Sequence, residues 1–113
     1  MVFGYTPFDR EQLEEVRRYL LAHMAEQIRI RQLCALAQMS RHKLNKGFEK
    51  NYGKKPLAYL RDLRMQQARQ LLLNTNDSID TIAEATGYAF GSNFLTAYKT
   101  YHGHTAGSER RQS

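Results

Sequence analysis

The chain has one cysteine and two prolines, and none of its apolar runs approaches the roughly 18 residues of a membrane span. Cys34 alone cannot close an internal disulfide, which agrees with a reducing compartment, and on the inner face of a helix it reads as a small hydrophobe rather than a redox sensor. The opening MVFGYTPF lacks the charged-then-apolar order of a signal peptide, so a cytoplasmic setting is the default expectation and no membrane partner is expected. There is no Gly-rich phosphate loop and no nucleophile-and-base arrangement. His102-Gly103-His104, without a Cys or carboxylate cluster, is a weak metal motif. Neither an enzyme nor a cofactor or metal site is expected.

Acidic residues are scarce where basic ones gather. Residues 29–73 hold eleven basic residues against Glu49 and Asp62, a net +9, while residues 1–28 carry −2 and residues 74–113 carry −1. A solvated helix usually mixes signs, so this segment favours a polyanionic partner, nucleic acid before membrane.

Few β-branched runs, 42% hydrophobic residues, and breaks at Gly and Pro suit an all-α protein, built as one compact domain or as two small lobes. Asp9 reads as the N-cap of a first helix, with Gln12 as its capping-box partner and Phe8 stapled onto Leu13; Leu13, Val16, Leu20 and Met24 share one face, and the helix should end near Glu26. Ile30, Leu33, Cys34 and Ala37 form the face of a short second helix. Ser40 caps a third, RHKLNKGFEKNY, which Gly53-Lys54-Lys55-Pro56 ends. From Leu57 to Asn74 the apolar spacing predicts the longest helix, about 17 residues and about 25 Å. Ser78 caps a helix through Ile79, Ile82, Ala83 and Ala85 that Gly87 stops, and a last clear helix runs through Phe94, Tyr98 and Tyr101 to Gly103.

The two helix pairs repeat one plan. Ile30, Leu33, Cys34 and Met39 align with Ile79, Ile82, Ala83 and Tyr88; after one inserted residue Leu44, Phe48 and Gly53 align with Phe94, Tyr98 and Gly103. A short helix, a tight break and a second helix buried by aromatics is the pattern of a helix-turn-helix. The expected organisation is a linker or disordered start at 1–8, a helix-turn-helix subdomain at 9–55, a long linker helix at 56–74, and a second helix-turn-helix subdomain at 75–113. In the third helix Leu44, Phe48 and Tyr52 face the core and Arg41, His42, Asn45, Lys46, Glu49 and Lys50 face out; in its later counterpart Gly91, Ser92, Leu95, Thr96 and Lys99 face out. Such faces are either solvated polar surfaces or readers of base edges, where an outward Leu95 would suit a thymine methyl. If both helices enter major grooves on one face of B-DNA, their centres lie about 34 Å apart, and the 56–74 helix has roughly the length to act as a spacer.

The linker Tyr59-Leu60-x3-Arg64-Met65-x2-Ala68-x2-Leu71-Leu72 and the unit Ile79-x2-Ile82-Ala83-x3-Gly87-Tyr88-x5-Phe94-x3-Tyr98-Lys99-x3-Gly103-x-Thr105 resemble the AraC/XylS family of bacterial transcription regulators, across nearly all of residues 9–110. The resemblance implies two helix-turn-helix subdomains on a long helix, binding adjacent major-groove segments of double-stranded promoter DNA and usually activating transcription through RNA polymerase. It implies base contacts from His42, Asn45 and Lys46 in the first reading helix and from Gly91, Ser92, Leu95 and Thr96 in the second. Charge and position add Ser40, Arg41, Lys50, Lys54, Lys55 and Lys99 as phosphate contacts. Arg64 is expected to act structurally, pairing or hydrogen-bonding between the lobes. The domain is expected to be monomeric, with a dimer open for a longer protein, since most such regulators carry a sensing domain ahead of this part and the chain reads as a fragment of one.

Departures from the family pattern set further expectations. Cys34 stands for the usual Ala and should pack. Ala89 stands where Ser40 stands in the first copy, leaving Ser92 as the substitute cap. Thr105-Ala106-Gly107-Ser108 lacks the family's Thr-Pro, so residues 105–113 are expected to fray. With its near-neutral second lobe, the chain should draw most of its affinity from the first unit. The alternative is a helical protein-interaction module or anti-activator on the same fold, which would not need the +9 segment.

Overall fold

The computed structural model describes residues 5–111. The chain forms α1 (Pro7–Ala22), α2 (Ile30–Ala37), α3 (Arg41–Tyr52), α4 (Pro56–Asn74), α5 (Ile79–Ala85), α6 (Gly91–His102) and α7 (Ala106–Arg111), the all-α architecture expected. No strand occurs among the described residues, and no helix there is long and apolar enough to cross a membrane. Two compact units emerge: the first runs through His23 and resumes at Gln27–Leu60, and the second takes Met24–Glu26 and the chain from Arg61 onward. The long helix foreseen as a linker is thus one continuous element whose residues are shared between the units.

In the first unit α1 starts a turn earlier than expected. Thr6, not Asp9, is the N-cap: its Oγ1 accepts from the Asp9 N–H at 3.1 Å while the Asp9 carboxylate accepts from the Thr6 N–H at 3.0 Å, and Pro7 occupies the first turn, where a missing N–H costs nothing. Asp9 is held there because Lys43 of α3 reaches its Oδ2 at 3.2 Å. Phe8 is left in solvent and does not staple onto Leu13. The helix ends at Ala22, short of Glu26, and the carbonyls of Met24 and Glu26 beyond it accept from Arg64, as described below.

The core of this unit is Leu13, Val16 and Leu20 of α1, Leu33 and Ala37 of α2, Leu44 and Phe48 of α3, and Leu60. The Phe48 ring lies 4.6 Å from that of Tyr52 and 5.3 Å, edge-on, from that of Tyr59. Tyr52 donates its hydroxyl to Glu14 at 2.7 Å, tying α3 to α1. Gly47 is buried, and a Cβ there would sit 2.6 Å from the Tyr5 ring, which is anchored by a 2.9 Å bond from its hydroxyl to the Lys43 carbonyl. The break between α2 and α3 turns on Gln38 in the left-handed region (φ 57°), and Ser40 caps α3 by accepting from the Lys43 N–H at 3.2 Å, as expected.

In the second unit Met65, Ala68 and Leu72 of α4 pack with Ile82 and Ala83 of α5, Phe94 and Tyr98 of α6, and Ala106 of α7. Arg64 is structural, and its bonds lie inside this unit: Nε donates to the Met24 carbonyl and Nη2 to the Glu26 carbonyl, each at 2.8 Å, with the guanidinium over the Tyr88 ring. Burial draws its pKa below the usual arginine value. Gly87 (φ 88°) closes α5 directly against this site, since a Cβ would meet Arg64 Nε at 2.6 Å and the Met24 oxygen at 2.7 Å.

The expected fraying of the C-terminal segment does not hold through Arg111. Thr105 accepts from the Ser108 N–H at 3.1 Å and starts α7. Glu109, only 2% exposed, accepts from the Tyr98 hydroxyl at 2.7 Å and lies 2.9 Å from His104 Nε2 and 3.1 Å from Arg69 Nε. Arg110 donates to the carbonyls of Leu72, Thr75 and Asp77, clamping the loop between α4 and α5. Residues 112–113 of that segment, like residues 1–4 of the expected linker, lie outside the described residues.

Candidate nucleic-acid interface

Helix α3 buries Leu44, Gly47 and Phe48 on one side, and this phase turns Arg41, His42, Lys46, Glu49 and Lys50 into solvent with Asn45 half-buried beside them. Lys43 is drawn away from this face by Asp9. After α3, Gly53 (φ 86°) ends the helix, and Lys54 and Lys55, which follow it in the chain, are both exposed, as is Lys50. Basic side chains therefore gather at the last turn of α3, where they also complement the helix dipole. Ser40, exposed, is committed to its capping bond.

Helix α6 repeats the geometry with different chemistry. Phe94 and Tyr98 are fully buried, and Ser92, Leu95, Thr96 and Lys99 are exposed. Gly91 is half-buried, and a Cβ there would lie 2.5 Å from Asp80 Oδ1, so its glycine serves the close approach of α6 to α5 and offers only main chain outward. Thr96 bonds back to the Ser92 carbonyl at 3.1 Å. Ser92 was expected to be the substitute cap and is not: the N-cap is Phe90, which makes no side-chain capping bond.

Sequence phase missed Asn93, which is exposed near the start of α6 and lies just before the buried Phe94, and Phe90, which is 66% exposed. It also missed a groove of about 490 Å³ beside α6, lined by Arg61, Ala97, Thr100 and Tyr101, with the Arg61 guanidinium 5.8 Å from the Tyr101 ring centre. Helical spacing within α6 could have found Asn93; the groove depends on α4 and could not have been found that way.

Electrostatics separate the two faces. In the second unit Arg64 and Arg110 donate to backbone carbonyls and Arg69 pairs with Glu109, while Lys99 is exposed on α6 and Arg61 lies beside Tyr101. In the first unit Arg17 and the Tyr52 hydroxyl hold the Glu14 carboxyl at about 2, well below the usual carboxylate range, and burial followed by Glu14 pushes Tyr52 up to about 12. These groups stabilise the unit behind α3 rather than its outward face. Of the His102-Gly103-His104 pair, His102 Nε2 lies 3.1 Å from the Met65 carbonyl and His104 meets Glu109. No group of three or more metal-ligating side chains occurs among the described residues.

Two units, each placing a short helix, a tight turn and a second helix with a polar outward face on an apolar core, define a tandem helix-turn-helix protein. The helix-turn-helix domain family matches residues 33–112, and the chain belongs to the AraC/XylS family. The HTH-type transcriptional regulator GbdR of Pseudomonas aeruginosa is 30% identical over 103 residues, which cover 91% of this chain and 28% of GbdR. Among solved structures, the DNA-binding domain of AdpA, a global transcriptional factor, in complex with a target DNA superposes with a TM-score of 0.83 at 29% identity, covering 89% of this chain and 91% of that one. The C-terminal domain of AraT, a response regulator from Geobacillus stearothermophilus, gives a TM-score of 0.84 at 26% identity, over 98% of this chain and 89% of that one. The chain spans 32%, 22% and 28% of the lengths of the curated regulators YobQ, ArgR and GbdR, respectively.

Proposed function

We propose that this chain is the DNA-binding part of an AraC/XylS-type transcription activator, inserting α3 and α6 into adjacent major grooves of double-stranded promoter DNA and acting through RNA polymerase in the cytoplasm. The observation that carries the reading is the repeated presentation of exposed polar residues, in matching register, by α3 and α6. The AdpA domain solved with its target DNA has the same fold, which supports the same mode of use here.

In this reading His42, Asn45 and Lys46 address base edges from α3, and Ser92, Leu95 and Thr96 do so from α6, with Gly91 bringing main chain close. Ser40, Arg41, Lys50, Lys54, Lys55 and Lys99 neutralise phosphates, which set register and orientation while base contacts set sequence. The helix at 56–74 serves as spacer between the subdomains at 9–55 and 75–113, for grooves about 34 Å apart. The part is non-catalytic, needs no cofactor, and binds as a monomer, with dimerisation left to a longer protein. Selection of bound duplexes from a random library, followed by retarded migration in gels, tests it. The expected result is a bipartite site whose halves are centred about one helical turn apart. Recovery of duplexes with no sequence preference would overturn the reading.

A further inference from the structure

The two outward faces differ in a way that their charges alone do not describe. The exposed side chains of α3 around the base-facing positions are Arg41, His42, Lys46, Glu49 and Lys50, all polar. At the start of α6 the exposed side chains include two large hydrophobes, Phe90 at 66% and Leu95 at 41% exposure, with the exposed Ala89 before them. Phe90 holds the N-cap in extended conformation (φ −131°, ψ 141°) and makes no capping bond. Ser40 and Ser78 each supply one at the corresponding end of α3 and α5. A hydroxyl or carboxylate at position 90 would stabilise α6; the aromatic there supplies no such bond and stays largely in water.

On the proposed DNA-binding reading, on which this inference rests, the start of α6 enters the major groove. The C5 methyl of thymine is the apolar group that base edges present there, and it accepts contact from apolar side chains where hydrogen-bonding residues gain nothing. We propose that Phe90 and Leu95 form an apolar reader of thymine methyl groups, so that the half-site under α6 is recognised by methyl contact and the half-site under α3 by hydrogen bonds and charge. The near-neutral second unit then acquires sequence selectivity without a cationic face.

The test uses duplexes recovered from the random-library selection and resynthesised with deoxyuridine for thymine in one half-site at a time. That change removes the methyl and keeps the base pairing, the O4 acceptor and every phosphate. Fluorescence anisotropy should show the wild-type chain losing about fourfold in affinity per contacted methyl, in one half-site only. Phe90→Ser should reduce that loss while raising the melting temperature, because serine can cap α6; a purely structural Phe90 could not produce both changes. Combining Phe90→Ser with Leu95→Asn should leave thymine and deoxyuridine duplexes bound alike. Equal wild-type affinity for both duplex types in both half-sites, or undiminished discrimination by the double variant, overturns the apolar reader and leaves DNA binding intact. Failure to retain any duplex removes the DNA-binding reading with it.

Discussion

Replacing Glu109 by Gln isolates what holds the last helix in place. The carboxylate is 2% exposed and sits among the Tyr98 hydroxyl, His104 Nε2 and Arg69 Nε at 2.7, 2.9 and 3.1 Å. Those bonds, Tyr98 first and His104 next, lower its pKa from 4.5 to about 2. At 1.36 kcal/mol per unit the shift corresponds to about 3 kcal/mol, and screening of the partly exposed Arg69 and His104 reduces it to about 2 kcal/mol. A depressed carboxylate pKa stabilises the fold fully above the unfolded value and loses that contribution as pH falls through the folded one. Urea unfolding followed by far-ultraviolet circular dichroism should therefore show Glu109→Gln about 2 kcal/mol less stable than wild type near pH 7. That gap should close as pH falls from 4.5 to about 2. Glu14, also held at about 2, titrates in the same window but is present in both proteins and cancels in the difference. Glu109→Ala should cost more than Glu109→Gln, since the buried Tyr98 hydroxyl then lacks an acceptor. A gap that stays constant through acid, or no gap at neutral pH, would refute the reasoning.

Gly87→Ala forces a Cβ into a left-handed residue (φ 88°) and to within 2.7 Å of the Met24 oxygen, so the melting temperature should fall by more than about 10 °C; an unchanged melt would show that the Arg64 site yields freely. Arg64→Ala removes donors from two carbonyls and should lower stability by about 2–3 kcal/mol, measured from the urea midpoint. Arg64→Lys should recover less than half of that, because an ammonium lacks the planar fork that spans both carbonyls. For DNA binding, neutralising Lys46 and Lys50 together should flatten the salt dependence of affinity by about two units of slope and neutralising Lys99 by about one or less. Equal changes from the two lobes would remove the proposed asymmetry.

Much of the architecture could be read from local patterns. The burial of Leu44 with Phe48 and of Phe94 with Tyr98 follows from helical spacing, and the same spacing turns out Lys46 and Thr96. Ser40 and Ser78 cap where their positions before apolar runs implied. The start of α1 shows the limit of that method: Thr6 with Asp9 and Asp9 with Gln12 both satisfy a capping-box spacing, and the choice fell to Lys43 of α3, which engages Asp9. Gly91 likewise looked like an outward position by phase, yet its lack of a side chain answers to Asp80 of α5.

By itself the sequence determined the number and phase of the main helices, the duplication, and the concentration of positive charge before residue 74, because periodicity, turn chemistry and composition are properties of neighbouring residues. Only the tertiary structure decided that the chain from Ala106 to Arg111 is a helix. Its sequence, AGSERR, includes a glycine and a serine that favour helix weakly. What holds it is remote: Arg69 and Tyr98 on Glu109, and the carbonyls of Leu72, Thr75 and Asp77 on Arg110. The same holds for Arg64, whose partners are the main-chain carbonyls of Met24 and Glu26, 40 and 38 residues away in the chain. Long-range bonds of this kind exist once the units have folded, and no local spacing encodes them.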